Sequence, residues 1–191
     1  AMMLSMAACG GEETTTAEST GEQKTIDGNV LDAEQYFNGY LSSEPTTLDS
    51  VTGNDTYSSS ILTNAMEPLT RLAEKDGENV REGAAAESWE SNEDGTVWTF
   101  HLRDNKWSDG QPVTANDYVY AITRVLTPET GSPNSWLLTC VKNANAVLAG
   151  EMDPSELGVK AIDDKTIEFT LESPTPYFLA LTDTRVMMPQ R

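Results

Sequence analysis

The stretch Val97-Trp98-Thr99-Phe100-His101-Leu102-Arg103 constrains this chain more than any other. Trp98, Phe100 and Leu102 fall on one face of an extended segment, and Val97, Thr99, His101 and Arg103 on the other. Aromatic and β-branched side chains repeating every second residue predict a half-buried β-strand. Asn92-Glu93-Asp94-Gly95 before it and Ser108-Asp109-Gly110 after it are turn sequences, because Gly takes positive φ without strain and Asp bonds its own backbone. Thr114 then stands where a helix N-cap belongs, with Asp117 three residues on in the place of a capping-box acid. Tyr118, Ile122 and Val125, with Ala121 beside them, form one apolar stripe, and Pro128 ends the helix. Glu82 to Val125 therefore reads as a strand, a tight turn, a longer strand, a second turn and a capped helix.

The flanks carry weaker versions of the same signals. Tyr36-Phe37-Asn38-Gly39-Tyr40-Leu41 predicts a first strand. Asn54-Asp55-Thr56 caps a helix running from Tyr57 to about Glu67, striped by Ile61, Leu62, Ala65 and Met66 and stopped by Pro68. Leu69 to Val80 reads as a hairpin around Lys75-Asp76-Gly77. Thr127 to Ser135 is a loop, Asn143 to Ala149 a helix with Gly150 at its C′ position, and Glu151 to Leu157 a polar connection with one helical turn. Leu157 to Leu171 reads as a second hairpin, with Ile167, Phe169 and Leu171 on one face and Asp163-Asp164 at the turn. Pro176 suits the first position of a closing helix.

A chain of 191 residues, 38% of them hydrophobic, can bury a core, and no apolar run approaches the length of a membrane span. Its formal charge is −19, from 12 Lys and Arg against 31 Asp and Glu. That argues against a nucleic-acid partner, since phosphate binding needs positive charge. Two cysteines, Cys9 and Cys140, make no disulfide framework, and with His101 the only histidine they make no metal cluster. Cys140 reads as a small buried hydrophobe near a helix end. There is no nucleophile elbow, paired-Cys motif or Gly-rich phosphate loop, so no catalytic residue or cofactor is expected. His101, facing away from Trp98 and Phe100, reads as a solvated strand histidine, and Trp89, Trp98 and Trp107 as packing residues.

Residues 1–9 pair a short apolar segment with small residues ahead of a cysteine. Met6-Ala7-Ala8-Cys9 resembles the lipobox of a bacterial lipoprotein signal, with Met where Leu is usual. The resemblance implies that Cys9 becomes the mature N-terminus and carries lipid, since two or more acyl chains give stable anchoring. Residues 10–33 are acidic, polar and almost free of large apolar groups, which predicts a disordered linker between anchor and domain.

The central stretch also carries a family resemblance. Ala86-Glu87-Ser88-Trp89, Trp98-Thr99-Phe100-His101-Leu102-Arg103, Lys106 to Ala115 (KWSDGQPVTA), Asp117-Tyr118-Val119-Tyr120 and Arg124 agree in order and nearly without gaps with one signature. It resembles that of the oligopeptide-binding family of bacterial ABC-transporter solute-binding proteins. Leu48-Asp49, the hairpin at 157–171 and Ser173-Pro174-Thr175-Pro176 agree as well. Glu82-Gly83 stands where the family commonly has Pro-Gly.

The resemblance implies an α+β or α/β fold, the N-terminal portion of a periplasmic-binding-protein-like (type II, cluster C) architecture with mixed sheets, short helices and an incomplete first lobe. It implies first-lobe strands in residues 34–50, a small accessory domain in 51–155 and a return to the first lobe in 156–191. The implied function is receptor for an ABC importer, without enzymatic activity. An oligopeptide is held between two lobes, its main chain paired with protein backbone as in strand addition, and hinge closure presents it to permease subunits in the membrane. The expected location is outside the cytoplasm, at the cell membrane. The loop before the first helix borders the ligand groove in the family, which nominates Asn54 and Thr56. The Ser-Pro-x segment lies at the cleft mouth, which nominates Ser132 and Asn134. An aromatic residue is common where Asn134 stands, and here Trp136 follows two residues later. Two alternatives remain at this point: a surface-anchored interaction lipoprotein, or the same fold binding a dipeptide, a nickel complex or a sugar.

Overall fold

The computed structural model describes residues 38–191, together with the dipeptides Thr25–Ile26 and Asn29–Val30. The chain divides into two compact units, Ala1–Tyr40 and Leu41–Arg191. In the first, β1 (Thr25–Ile26) and β2 (Asn29–Val30) pair antiparallel, Thr25 opposite Val30. The expectation of disorder across residues 10–33 is corrected there. The lipobox, most of that linker, and Tyr36 and Phe37 lie outside the described residues.

In the second unit the elements run α1 (Thr56–Ala65), β3 (Thr70–Lys75), β4 (Glu78–Gly83), β5 (Ala86–Ser91), β6 (Val97–Leu102), α2 (Ala115–Leu126), α3 (Ala144–Leu148), β7 (Val159–Asp163), β8 (Thr166–Thr170) and α4 (Phe178–Leu181). Short 3-10 turns at Pro128–Thr130, Ser135–Leu138, Pro154–Glu156 and Arg185–Met187 fill the connections. β5-β6-β8-β7 form one four-stranded sheet, and β3-β4 a separate hairpin. All these pairings are antiparallel, on the α+β side of the expectation.

The core follows from the alternation in β6. Trp98 lies opposite Phe169 and Phe100 opposite Ile167 on β8. Phe100, Phe169 and Phe178 are fully buried, with ring centroids 5.7 Å apart for Phe100–Phe169 and 5.2 Å for Phe169–Phe178, both edge-on. Burying each such ring is worth roughly 2–3 kcal/mol, before the gain from edge-on geometry. α2 covers the sheet with Tyr118, Ala121, Ile122, Val125 and Leu126. Its start is the expected capping box, in which the Thr114 N–H donates to Asp117 Oδ2 at 2.7 Å. The hairpin turn at Asp76-Gly77 has φ of 54° and 81°, the left-handed pair that a two-residue connection between twisted strands requires.

Several expectations need correction. Asn38 to Leu41 is not strand, and Tyr40 is 90% exposed: alternation makes a strand only where another strand takes up its backbone groups, and none does so here among the described residues. The α1 stripe is fully buried only at Leu62, with Ser58 the other buried residue; Ile61 and Met66 are half-buried, and Ala65 faces solvent. The second hairpin turns at Asp164-Lys165, because a register shift between Ala161 and Asp163 adds a residue to β7. Pro176 lies in the turn ahead of α4, which begins at Phe178. Cys140 is half-buried rather than buried. Finally, the boundary expected at residues 155/156 falls inside one sheet, since β8 lies between β6 and β7. The boundary at 50/51 likewise separates nothing within Leu41–Arg191, for Val51 belongs to the same core as β6 and α2.

Candidate functional site

The segment before α1 is built by two aspartates. Asp49 folds the chain back on itself: its Oδ1 accepts the Val51 N–H at 3.0 Å and its carbonyl accepts the Gly53 N–H at 2.9 Å. Asp55 is the N-cap of α1 and accepts the Ser58 N–H at 2.8 Å. It also accepts the Thr46 hydroxyl at 2.5 Å, closing a loop from Thr46 to Asp55. Hydrogen bonds from the Ser58 and Thr46 side chains hold the Asp55 carboxyl well below the usual carboxylate range.

The second segment begins where α2 ends. After the 3-10 turn at Pro128–Thr130, Gly131 takes a left-handed conformation (φ 60°) and the chain crosses toward the first loop. The buried Ser132 hydroxyl donates to the Val51 carbonyl at 2.7 Å, and Asn134 Nδ2 donates to the Gly53 carbonyl at 3.2 Å. The Asn134 N–H donates back to Ser132 Oγ at 3.4 Å. Of the nominated residues, Ser132 and Asn134 make this joint, and their partners on the first segment are Val51 and Gly53. Asn54 and Thr56 are exposed beside it, Asn134 is half-buried, and Ser132 faces inward. Trp136, on the 3-10 turn that follows, is 66% exposed, whereas Leu138 on the same turn is fully buried.

A further cluster escaped the reading of the sequence. Arg124, in the last turn of α2, places Nη2 2.8 Å from Asp49 Oδ2 and Nη1 3.2 Å from Oδ1. Gln190 Nε2 donates to Asp49 Oδ1 at 2.8 Å and to Ser50 Oγ at 2.9 Å. Burial pushes the Asp49 carboxyl upward, but hydrogen bonds from Arg124, the Val51 N–H and Gln190, with the Arg124 charge, outweigh it and hold the pKa at about 2. Nothing in local spacing announces this cluster, since Asp49 and Arg124 are 75 positions apart.

Elsewhere, His101 Nε2 lies 3.1 Å from Glu90 Oε1 on the solvent side of the sheet, and Trp89, Trp98 and Trp107 pack against the core. An open groove of about 590 Å³ between the end of α1, the β3–β4 hairpin and Trp107 shares no residue with the joint. Among the described residues no group of three or more His, Cys, Asp and Glu side chains could hold a metal ion. Two tied loops with exposed polar side chains and an exposed indole can hold a ligand by hydrogen bonds and apolar contact.

The profile of "Bacterial extracellular solute-binding proteins, family 5 Middle" matches residues 81–189, and the chain belongs to that family. The periplasmic murein peptide-binding protein MppA of Escherichia coli K12 is 38% identical over 165 residues, covering 85% of this chain and 30% of the relative. The substrate-binding domain of an oligopeptide ABC transporter from Bacillus anthracis superposes with a TM-score of 0.79 at 45% identity, covering 84% of this chain and 31% of that one. OppA of Haemophilus influenzae, solved in complex with RPPGFSPFR, gives 0.70 at 37% identity, covering 77% and 29%. The fold described here is part of the periplasmic peptide-binding fold, and the chain spans about a third of the length of the relatives it matches.

Proposed function

We propose that this chain belongs to the receptor component of an ABC importer that captures oligopeptides outside the cytoplasm and delivers them to membrane permease subunits. The observation that carries the reading is the 45% identity, at a TM-score of 0.79, to the substrate-binding domain of an oligopeptide transporter. In this reading Asn54, Thr56 and Asn134 contact the peptide, and Ser132 holds the two loops that present them. Peptide main chain offers one donor and one acceptor per residue, so recognition through it is independent of side-chain identity. The role is to hold and release cargo, not to transform it. Cys9 carries the lipid that keeps the receptor at the membrane, a reading supported by Met6-Ala7-Ala8-Cys9 and the acidic segment after it.

Isothermal titration of the intact protein against a panel of di- to pentapeptides tests the central reading. Micromolar or tighter binding of at least one peptide of three or more residues is expected. No binding across the panel, or binding of a sugar or a nickel complex instead, would overturn it. The 191-residue chain alone is expected to bind the same peptides weakly or not at all. For the anchor, Cys9→Ser is expected to release the protein from the membrane fraction; an unchanged distribution would exclude lipid attachment at Cys9.

A further inference from the structure

We propose that Arg124 and Gln190 are positioning residues for ligand capture, acting through Asp49 on the segment from Val51 to Thr56. This rests on the receptor reading above.

The argument begins with the fork on Asp49. Arg124 donates from two nitrogens, 2.8 and 3.2 Å from the two carboxylate oxygens, which fixes the plane of the carboxylate as well as its place. Gln190 adds a donor at 2.8 Å on Oδ1 and, through its Oε1, accepts from Arg124. The Gln190 N–H is itself bound to the Asp117 carbonyl at 3.0 Å, in the first turn of α2. The two ends of α2 are therefore linked through Gln190, and both converge on Asp49.

Asp49 is also the residue that shapes the next turn, through its bonds to the Val51 and Gly53 N–H groups. The carbonyls of those same two residues accept Ser132 and Asn134. One chain of contacts thus runs from α2 through Arg124 to Asp49, through the turn at 51–53, to the loop at 132–134. Asn54 and Thr56 directly follow that turn. Both members of the Arg124–Asp49 pair are only about three-tenths exposed, so solvent screens the interaction less than it would a free surface pair. A lysine could keep the charge but not the fork.

The test uses the intact protein with Arg124→Lys, Arg124→Met and Gln190→Ala, and Lys160→Met as a control that removes an exposed lysine from the Lys160–Glu168 pair, away from both loops. Affinity for the tightest peptide of the panel is measured by titration, well below each variant's Tm. Amide hydrogen exchange is followed at Val51 and Gly53 and, for comparison, in β6. Arg124→Met is expected to weaken binding about three- to thirtyfold, the range for residues that couple to a site without touching ligand. Exchange at Val51 and Gly53 should speed up while β6 protection stays unchanged, and the control should match the parent. Arg124→Lys is expected to recover only part of the loss. A lower Tm with Kd within twofold of the parent would make the cluster purely structural and overturn the proposal, as would unchanged exchange at Val51 and Gly53. If the parent protein binds no peptide, the receptor reading fails, and exchange at Val51 and Gly53 still decides whether Arg124 orders the loop.

Discussion

Replacing Ser132 with Ala removes the hydroxyl that bridges the two candidate binding loops. The bond to the Val51 carbonyl is 2.7 Å long, and both residues are buried, Val51 completely. Once the donor is gone, that carbonyl is left without a partner in a place water does not reach. The cost of such an orphaned acceptor is about 1–3 kcal/mol. Asn134→Ala removes a longer bond, 3.2 Å, from a half-buried side chain. Water can take its place, so the expected cost is about 0.5–1 kcal/mol. Because both bonds hold the same two segments, losing one should weaken the other. The double variant is expected to cost less than the sum of the single ones, by about 0.5–1 kcal/mol. Urea unfolding of the four species, followed by tryptophan fluorescence, reads all of these values if the slope against urea stays constant. A Ser132→Ala cost below about 0.5 kcal/mol, the range of ordinary surface substitutions, would refute the joint. Strict additivity would refute its cooperativity.

Gly158 is a case of space. An added Cβ there would lie 2.4 Å from the Thr170 carbonyl oxygen and 2.7 Å from Lys142 Cβ, where three backbone bonds converge. Gly158→Ala is therefore expected to cost about 2–4 kcal/mol in urea unfolding, whereas Gly150→Ala, with left-handed φ but open space, should cost only about 1–2 kcal/mol; equal costs would contradict this. The Asp49 carboxyl, held at about 2 against an ordinary 3.8, favours the folded state when ionised. Its contribution is present above pH 4 and is lost as pH falls toward 2, so the urea midpoints of parent and Asp49→Asn should converge across that window and stay apart above it. A gap independent of pH would show that the carboxylate charge does not matter. Burial pushes the Cys140 thiol up, so in a Cys9→Ser background Cys140 should react with Ellman's reagent at pH 8 several times more slowly in the folded protein than in urea; equal rates would contradict that.

What could be read from the sequence was local. Trp98, Phe100 and Leu102 mark β6 because a strand buried on one face leaves a two-residue period. Thr114 and Asp117 mark the start of α2 because the capping box spans only three positions. Neither signal says which strands meet. β8 joins β6 across some seventy positions, Val97 opposite Thr170, so the expected boundary at 155/156 cut through a sheet. The shifted turn at Asp164-Lys165 came from one extra residue in β7, which alternation cannot count. The site was half legible. The family resemblance nominated Asn54, Thr56, Ser132 and Asn134, on two loops that the fold ties together. It did not reveal that Ser132 points inward to Val51, or that Arg124 on α2 holds Asp49. Those contacts depend on how distant elements pack, and no spacing rule encodes them.

The central claim is that the intact protein holds peptide without altering it. Native mass spectrometry of the intact protein, purified without denaturation and then unfolded to release what it carries, tests this most directly. The account expects peptide bound one to one, and the same mass recovered after added peptide is incubated and released. A protein that carries no peptide and takes none up, or one that returns shortened fragments, would contradict it.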